Sequence, residues 1–147
     1  MISFLIKRVV ERLEKERVIR ICDDSFPRGI CKRDDYSEIF DKIDIYADFF
    51  VAYEEGEVCG YAAMYNNNQD LKKAYITMIG VRKTFQHKHI GSKLISACID
   101  SAKDKGMVAI RLEVLKENTK AISFYKNAGF VYERSCSENS IYMVLVL

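Results

Sequence analysis

The sequence predicts an α+β fold: a mixed, mostly antiparallel sheet of roughly six or seven strands, with one parallel step and helices on both faces. Three observations predict it. Residues 49–81 hold three strand-like apolar runs separated only by short polar connections, the pattern of an antiparallel meander. Residues 74–115 then run strand, loop, amphipathic helix, strand, a β-α-β unit whose two strands should lie parallel. Residues 130–147 close the chain as a hairpin. The 147 residues suffice for one substantial core. No Ser- or Pro-rich linker and no repeat interrupts them, so residues 1–147 are read as a single domain.

Each element has its own signal. Residues 2–6 are read as a short strand. "VVERLEKERVIRIC" is rich in helix formers and predicts a helix over 9–22. Pro27 and Gly29 break the chain. Tyr36, Ile39, Phe40, Ile43 and Ala47 then recur at helical spacing, with Asp35 and Glu38 placed as a capping box. "FFVAYEEGEVCGYAAMY" reads as two strands joined at Glu-Glu-Gly, and "AYITMIGV" as a third, continuously apolar strand. Ile90, Leu94, Ile95, Cys98, Ile99 and Ala102 form the stripe of an amphipathic helix that Gly106 stops. "VAIRLEVL" is a strand by its length and β-branched content. "NTKAISFYKNAGF" is a short helix capped by Asn118 or Thr119 and ended by Gly129. "FVYERSC" and "SIYMVLVL" pair around Ser137, Glu138 and Asn139.

Composition narrows the function. Nearly half the residues are apolar and the net charge is +2, too small to call for a nucleic-acid or membrane partner. The five cysteines are scattered, with no C-x-x-C pair, which favours free thiols in a reducing cytoplasm over a disulfide frame or zinc site. The start, "MISFLIKRVVERLEKE", is too briefly apolar for a secretory signal, and no run approaches a membrane span.

Residues 86–94, "QHKHIGSKL", carry the sharpest signal. A helix that starts near Ile90 directly after a strand presents unpartnered amides and the positive end of its dipole to an anion. Lys88 lies in the approach, with Arg82, Lys83 and Lys93 nearby; Gly91 leaves room for close approach, and Ser92 adds a hydroxyl. The alternative is an ordinary basic helix start. His87-x-His89 could clip a metal, but the sequence points to no third ligand. The P-loop pattern and the dinucleotide-binding glycine fingerprint are both absent.

With these motifs in this order, the chain resembles the GNAT superfamily of N-acetyltransferases. "ITMIGV" resembles the strand that lines the pantetheine arm, "QHKHIGSKL" the pyrophosphate loop, and "LEV" with "NTKAISFYKNAGF" the following strand and helix. The match covers about residues 49–135. His89 stands where the family pattern has its first glycine, and a negative φ there would keep its N–H a donor. The resemblance implies acetyl-CoA as cosubstrate, no metal, and a primary amine on a small molecule or peptide as acceptor. It implies that Ile79 and Val81, flanking Gly80, bond the pantetheine amides, and that the backbone of Gln86, His87, Lys88, His89, Ile90, Gly91 and Ser92 holds the pyrophosphate. Asn118 would reach the pantetheine arm and Tyr125 would sit beside the sulfur. A homodimer is compatible with it.

Two residues are candidates for the chemistry. Tyr125 is the acid for the departing thiolate; against a thiol of pKa ~8.5, an ordinary phenol of ~10 is mildly uphill. By periodicity alone it would be a packing residue. Glu113 is the candidate base. Alternation sets it opposite Val108, Ile110, Leu112 and Val114, and a carboxylate in so apolar a strand would be costly to bury unless it faces a cleft. The alternatives are an ion pair with the neighbours of Arg111 or a role supporting other groups from behind. "LEV" followed by Tyr125 also resembles the ribosomal-protein alanine acetyltransferase branch, in which such a pair serves as base and acid. A backbone N–H near Ile79–Val81, where Gly80 permits a bulge, would meet the oxyanion. Asp23, Asp24, Asp34 and Asp35 could draw a cationic amine, though exposed acids beside basic residues are ordinarily a solvated surface. A different class fits the same features: a non-catalytic acyl-CoA-binding regulatory module.

Overall fold

The computed structural model of the protein describes residues 3–26, 29–86 and 88–147. Its strands are β1 (Phe4–Arg8), β2 (Ala47–Glu54), β3 (Glu57–Tyr65), β4 (Lys73–Val81), β5 (Ala109–Leu115), β6 (Val131–Ser135) and β7 (Ser140–Val146). They form one seven-stranded sheet in the order β1-β2-β3-β4-β5-β7-β6. Every neighbouring pair is antiparallel except β4 and β5, which are parallel. The expected parallel step is therefore present. The helices are α1 (Arg12–Ile21), α2 (Tyr36–Tyr46), α3 (Ile90–Asp104) and α4 (Thr119–Asn127). Among the described residues, no helix is long and apolar enough to cross a membrane.

Local chemistry accounts for most boundaries. Glu55 and Gly56 both take positive φ (51° and 77°), the tight turn that suits a twisted hairpin between β2 and β3. Asn118 Oδ1 accepts the N–H of Ala121 at 3.1 Å and caps α4. Gly106, at φ 77°, follows α3 where a left-handed residue is needed.

Two expectations differ. The first helix begins at Arg12, not Val9, because the Val9 N–H donates to Phe49 O at 2.8 Å and holds that segment extended beside β2. Leu13 consequently faces solvent, 83% exposed, and the buried stripe is Val18, Ile19 and Cys22. Nor does Asp35 close a capping box. Its carboxylate takes both arms of the Arg33 guanidinium at 2.8 Å, and it makes no cap bond to α2.

The sheet separates two apolar cores. On one face α3 packs Ile90, Leu94, Ile95 and Cys98 against Ile76, Ile110 and Leu112, with Phe130 and Met143 alongside. On the other, α1 and α2 pack Val18, Ile19, Phe40 and Ile43 against Phe49 and Tyr61. A buried node ties α3 to the sheet: Asp48 accepts Arg8, Asn66 Nδ2 and Ser101 Oγ at 2.8, 3.0 and 2.9 Å.

The α1–α2 pair is fixed by an ionic contact of the kind that is costly to break from one side. Lys15 is only 5% exposed, and its Nζ reaches Asp44 Oδ1 and the Asp44 carbonyl, each at 3.0 Å. Arg12 reaches Asp44 at 2.9 Å and Asp41 at 2.6 Å. Asp44→Ala would leave the Lys15 ammonium buried without its carboxylate, so urea unfolding should show a loss of about 3 kcal/mol. A change within about 0.5 kcal/mol would mean that the pair is not holding the two helices together.

Candidate active site

The site begins where the parallel ladder stops. β4 and β5 pair only through Lys73–Ala109, Ala74–Ile110 and Tyr75–Arg111, although β4 continues to Val81 and β5 to Leu115. On its other side β4 stays paired with β3, with one slip: Ala63 faces Met78 and Met64 faces Ile76, so Thr77 is an extra residue. Such a bulge bends its strand and sharpens the twist. It lies two residues past the last β4–β5 pair, and beyond it a cleft of about 620 Å³ separates the strands. Ile76–Val81 line one wall and Leu112–Leu115 the other, with the first turn of α3 and the α4 residues Lys120, Ala121, Phe124 and Tyr125 closing the sides.

The bulge expected at Gly80 is therefore at Thr77, and Gly80 has a different reason to be small. A Cβ there would lie 2.7 Å from Phe26 Cζ and 3.0 Å from Ser25 Cβ. Ser25 ends a 3₁₀ turn, Asp23–Ser25, that follows α1, and Ser25 and Phe26 both line the cleft. The α1–α2 connection thus presses directly on β4.

At its other end the cleft meets the start of α3. The Lys93 N–H reaches His89 O at 3.2 Å and leaves the amides of Ile90, Gly91 and Ser92 without a helical acceptor. All three residues border the cleft, and the helix dipole adds positive potential there. His89 does not keep a negative φ. It sits at φ 61°, ψ 19°, the left-handed region, where His is tolerated better than most side chains. The turn keeps the shape a glycine would give, at a cost of roughly 1 kcal/mol. His87 lies outside the described residues. Gly91 is also kept small by packing: a Cβ there would lie 3.0 Å from Phe124 Cζ.

The basic residues near this loop are mostly engaged elsewhere. Arg82 reaches Glu57 at 3.1 Å, Lys88 reaches Glu54 at 3.4 Å, and the Lys93 ammonium sits 4.2 Å over the Phe4 ring. Among the described residues, Lys120 of α4 is the lysine or arginine that lines the cleft; it donates to Gln86 Oε1 at 3.2 Å. Gln86 in turn donates to Val81 O at 3.2 Å, so its side chain ties the end of β4 to α4. Asn118 borders the cleft with its Oδ1 already committed to capping α4.

Two reactive side chains reach the cleft from opposite faces of the sheet. Tyr125 packs with the α3–α4 core, its ring edge-on to Phe124 and Phe130. Burial alone pushes its phenol up to about 12. Glu113 lies on the other face, because its neighbours Leu112 and Val114 point into that core. It lines the cleft but is exposed, so the argument from a costly buried carboxylate does not hold. Nor does it pair with Arg111, which meets Glu133 at 2.8 Å. Its hydrogen-bond partner is Ser140, whose Oγ donates to Glu113 Oε2 at 2.6 Å.

Sequence reasoning missed Ser25, Phe26, Thr77 and Lys120. Phe26 had a usable signal, an aromatic residue beside the chain's single proline in a polar loop. Thr77 had none, since a bulge is set by the register of the partner strand. Among the acids of the α1–α2 connection, Asp23 is used internally: its carboxylate accepts the Ile30 N–H at 2.7 Å and the Cys31 N–H at 3.3 Å. Among the described residues, no cluster of three His, Cys, Asp or Glu side chains is placed to hold a metal.

The profile of the acetyltransferase (GNAT) family matches residues 5–130. The chain belongs to that family. One relative, N-alpha-acetyltransferase 30 of Dictyostelium discoideum, is 37% identical over 82 residues, 55% of this chain and 44% of the relative. The [Ribosomal protein bS18]-alanine N-acetyltransferase of Salmonella typhimurium is 35% identical over 60 residues, 41% of this chain and 40% of the relative. The matched stretch thus spans less than half the length of each of these relatives. The fold is that of the PaiA N-acetyltransferase from Thermoplasma acidophilum, solved in complex with coenzyme A. That structure is 19% identical and superposes at a TM-score of 0.80, covering 99% of both chains.

The left-handed His89 separates shape from chemistry. His89→Gly should leave the melting temperature within a few degrees, because relief of strain and added unfolded-state freedom nearly cancel. His89→Val, β-branched at positive φ, should cost about 1–2 kcal/mol in denaturant unfolding. Equal stability of the valine variant would place His89 outside the left-handed region.

Proposed function

We propose that the protein is an acetyl-CoA-dependent N-acetyltransferase that moves the acetyl group to a primary amine by direct attack in a ternary complex, with residues 1–147 as one acetyltransferase domain. The observation that carries the proposal is the cleft itself. The β5-facing edge of β4 lies open from Ile76 to Val81 and leads to the amides of Ile90, Gly91 and Ser92 at the start of α3. An extended amide chain ending in a diphosphate matches that sequence of groups: ladder positions at Ile79 and Val81 for the amides, a helix start for the anion. A volume of about 620 Å³ is ample for a pantetheine arm. Family membership and the coenzyme A held by the PaiA structure support the same ligand.

The reaction needs a proton removed from the acceptor ammonium, a donor for the thioester oxygen, and stabilisation of the departing thiolate. Glu113 takes the ammonium proton. The amine nitrogen then bonds to the thioester carbon as the carbon–sulfur bond breaks, and the nitrogen, positively charged once bonded, gives its second proton to solvent. A backbone N–H of β4 beside the bulge at Thr77 is the best-placed donor for the oxygen as it gains charge. Tyr125 faces the sulfur. Because its phenol is pushed up to about 12, far above a thiol's ~8.5, complete proton transfer is strongly uphill. Tyr125 therefore serves chiefly as a hydrogen-bond donor that steadies the thiolate, and the thiol proton is completed from solvent.

The α-amine of a polypeptide is the first acceptor to test, since the two relatives above are named for N-alpha and alanine acetylation. Release of the CoA thiol should be followed with peptides bearing a free N-terminus, lysine ε-amines, polyamines and amino sugars. Amine-dependent release with at least one class is expected. Acetyl-CoA binding without release by any of them would overturn the enzyme reading in favour of a binding module.

Within that assay, Tyr125→Phe should lower kcat by about 10²-fold and leave the acetyl-CoA KM unchanged. A wild-type kcat would remove Tyr125 from the chemistry. The pH–rate profile should show no alkaline limb from Tyr125 below pH ~11, since a phenol at about 12 keeps its proton there. A limb near pH 9 that disappears in Tyr125→Phe would contradict this.

A further inference from the structure

We infer that Ser140 is a positioning residue that aims Glu113 into the cleft, backed by Ser137 as the second link of a one-way hydrogen-bond chain. The inference rests on the base role proposed for Glu113 and adds residues outside the motifs that identified the site.

The direction of the chain follows from counting protons. Ser140 Oγ donates to Glu113 Oε2 at 2.6 Å. A hydroxyl carries one proton, so in the 2.8 Å contact between the Ser137 and Ser140 hydroxyls the donor must be Ser137. Ser137 Oγ in turn accepts the Asn139 N–H at 3.2 Å. Every proton in the chain points toward the carboxylate. The arrangement starts at the β6–β7 turn and ends on β5, crossing between strands whose register places Leu115 opposite Ser140.

Ser140 is a fixed point. It is 1% exposed, and its carbonyl accepts the amides of Cys136 and Ser137 at 3.0 and 3.3 Å. Glu113 is exposed and, without a partner, would sample several rotamers. The other groups around it do not take that part. Arg111 meets Glu133. The guanidiniums of Arg111 and Arg134 both lie over the Tyr142 ring, which is the cross-strand neighbour of Glu113. Tyr75 of β4 feels the charge of Glu113, and burial raises its phenol to about 12, so it stays neutral. Ser140 thus holds one carboxylate oxygen and leaves the other to meet the acceptor.

The test uses the full chain, acetyl-CoA and the best peptide or amine from the acceptor panel. Ser140→Ala should lower kcat about 10-fold, the worth of one hydrogen bond to a charged group, with the acetyl-CoA KM within about twofold. Ser137→Ala, at an exposed position, should give a smaller loss in the same direction. Both losses should vanish when combined with Glu113→Gln. A wild-type kcat for Ser140→Ala, or a loss undiminished in the Glu113→Gln background, would overturn the inference. Wild-type turnover by Glu113→Gln alone would instead overturn the base role beneath it. A crystal structure of Ser140→Ala gives an answer that needs no acceptor: the Glu113 carboxylate should leave its position or split between rotamers, and an unmoved carboxylate would refute the positioning role.

Discussion

Everything at the candidate site depends on the bulge at Thr77 that accompanies the parting of the two parallel strands. Through Tyr75 and Arg111 the strands share a ladder; beyond that point β4 keeps its bonds to β3 and gives up those to β5. A strand edge left unpaired inside a protein needs other partners for its amides and carbonyls. The fold leaves that edge facing a cleft rather than covering it. It also leads the chain from the end of β4 into α3, so that free strand edge and free helix start lie along one path. Neither feature would be useful alone: the edge gives direction, and the helix start gives charge.

The rest of the structure braces this opening from two sides. The Lys15–Asp44 contact fixes α1 against α2, and the connection between those helices carries Phe26 onto Gly80. On the opposite face Gly91 lets Phe124 seat against the first turn of α3, which brings Tyr125 to the cleft. The two reactive groups consequently live in different media. Tyr125 is surrounded by apolar rings and holds its proton firmly; Glu113 is open to solvent and is held by a hydroxyl. In the proposed reaction that division is useful. The group that must exchange protons with an incoming amine faces water, and the half-buried phenol, packed among rings, holds its proton.

Much of this was legible in the sequence, for physical reasons that differ by element. The stripe Ile90–Leu94–Cys98–Ala102 and the strand before it specified the β-α-β unit, because burial on one face leaves a period that solvent exposure does not blur. Glu113 and Tyr125 stood out by motif, and both line the cleft. What could not be read was whatever depends on the partner strand or on a distant loop. Thr77 bulges because of its register against Ala63 and Met64. Gly80 looked like a bulge residue, but it is small because Phe26 arrives from fifty-odd residues earlier in the chain. His89 takes a conformation its residue type only tolerates, because the turn into α3 demands it. Asp35 left its expected cap for Arg33, two residues away, a choice between local partners that residue type alone does not settle.

The central claim is that the open edge of β4 and the first turn of α3 together bind one extended ligand. Amide hydrogen exchange, resolved by residue with and without coenzyme A, tests it most directly. Binding should slow exchange at both places at once: along β4 at Ile79 and Val81, and at the start of α3 at Ile90, Gly91 and Ser92. Saturating coenzyme A that protects the α3 amides and leaves β4 unchanged, or that protects neither, would contradict it.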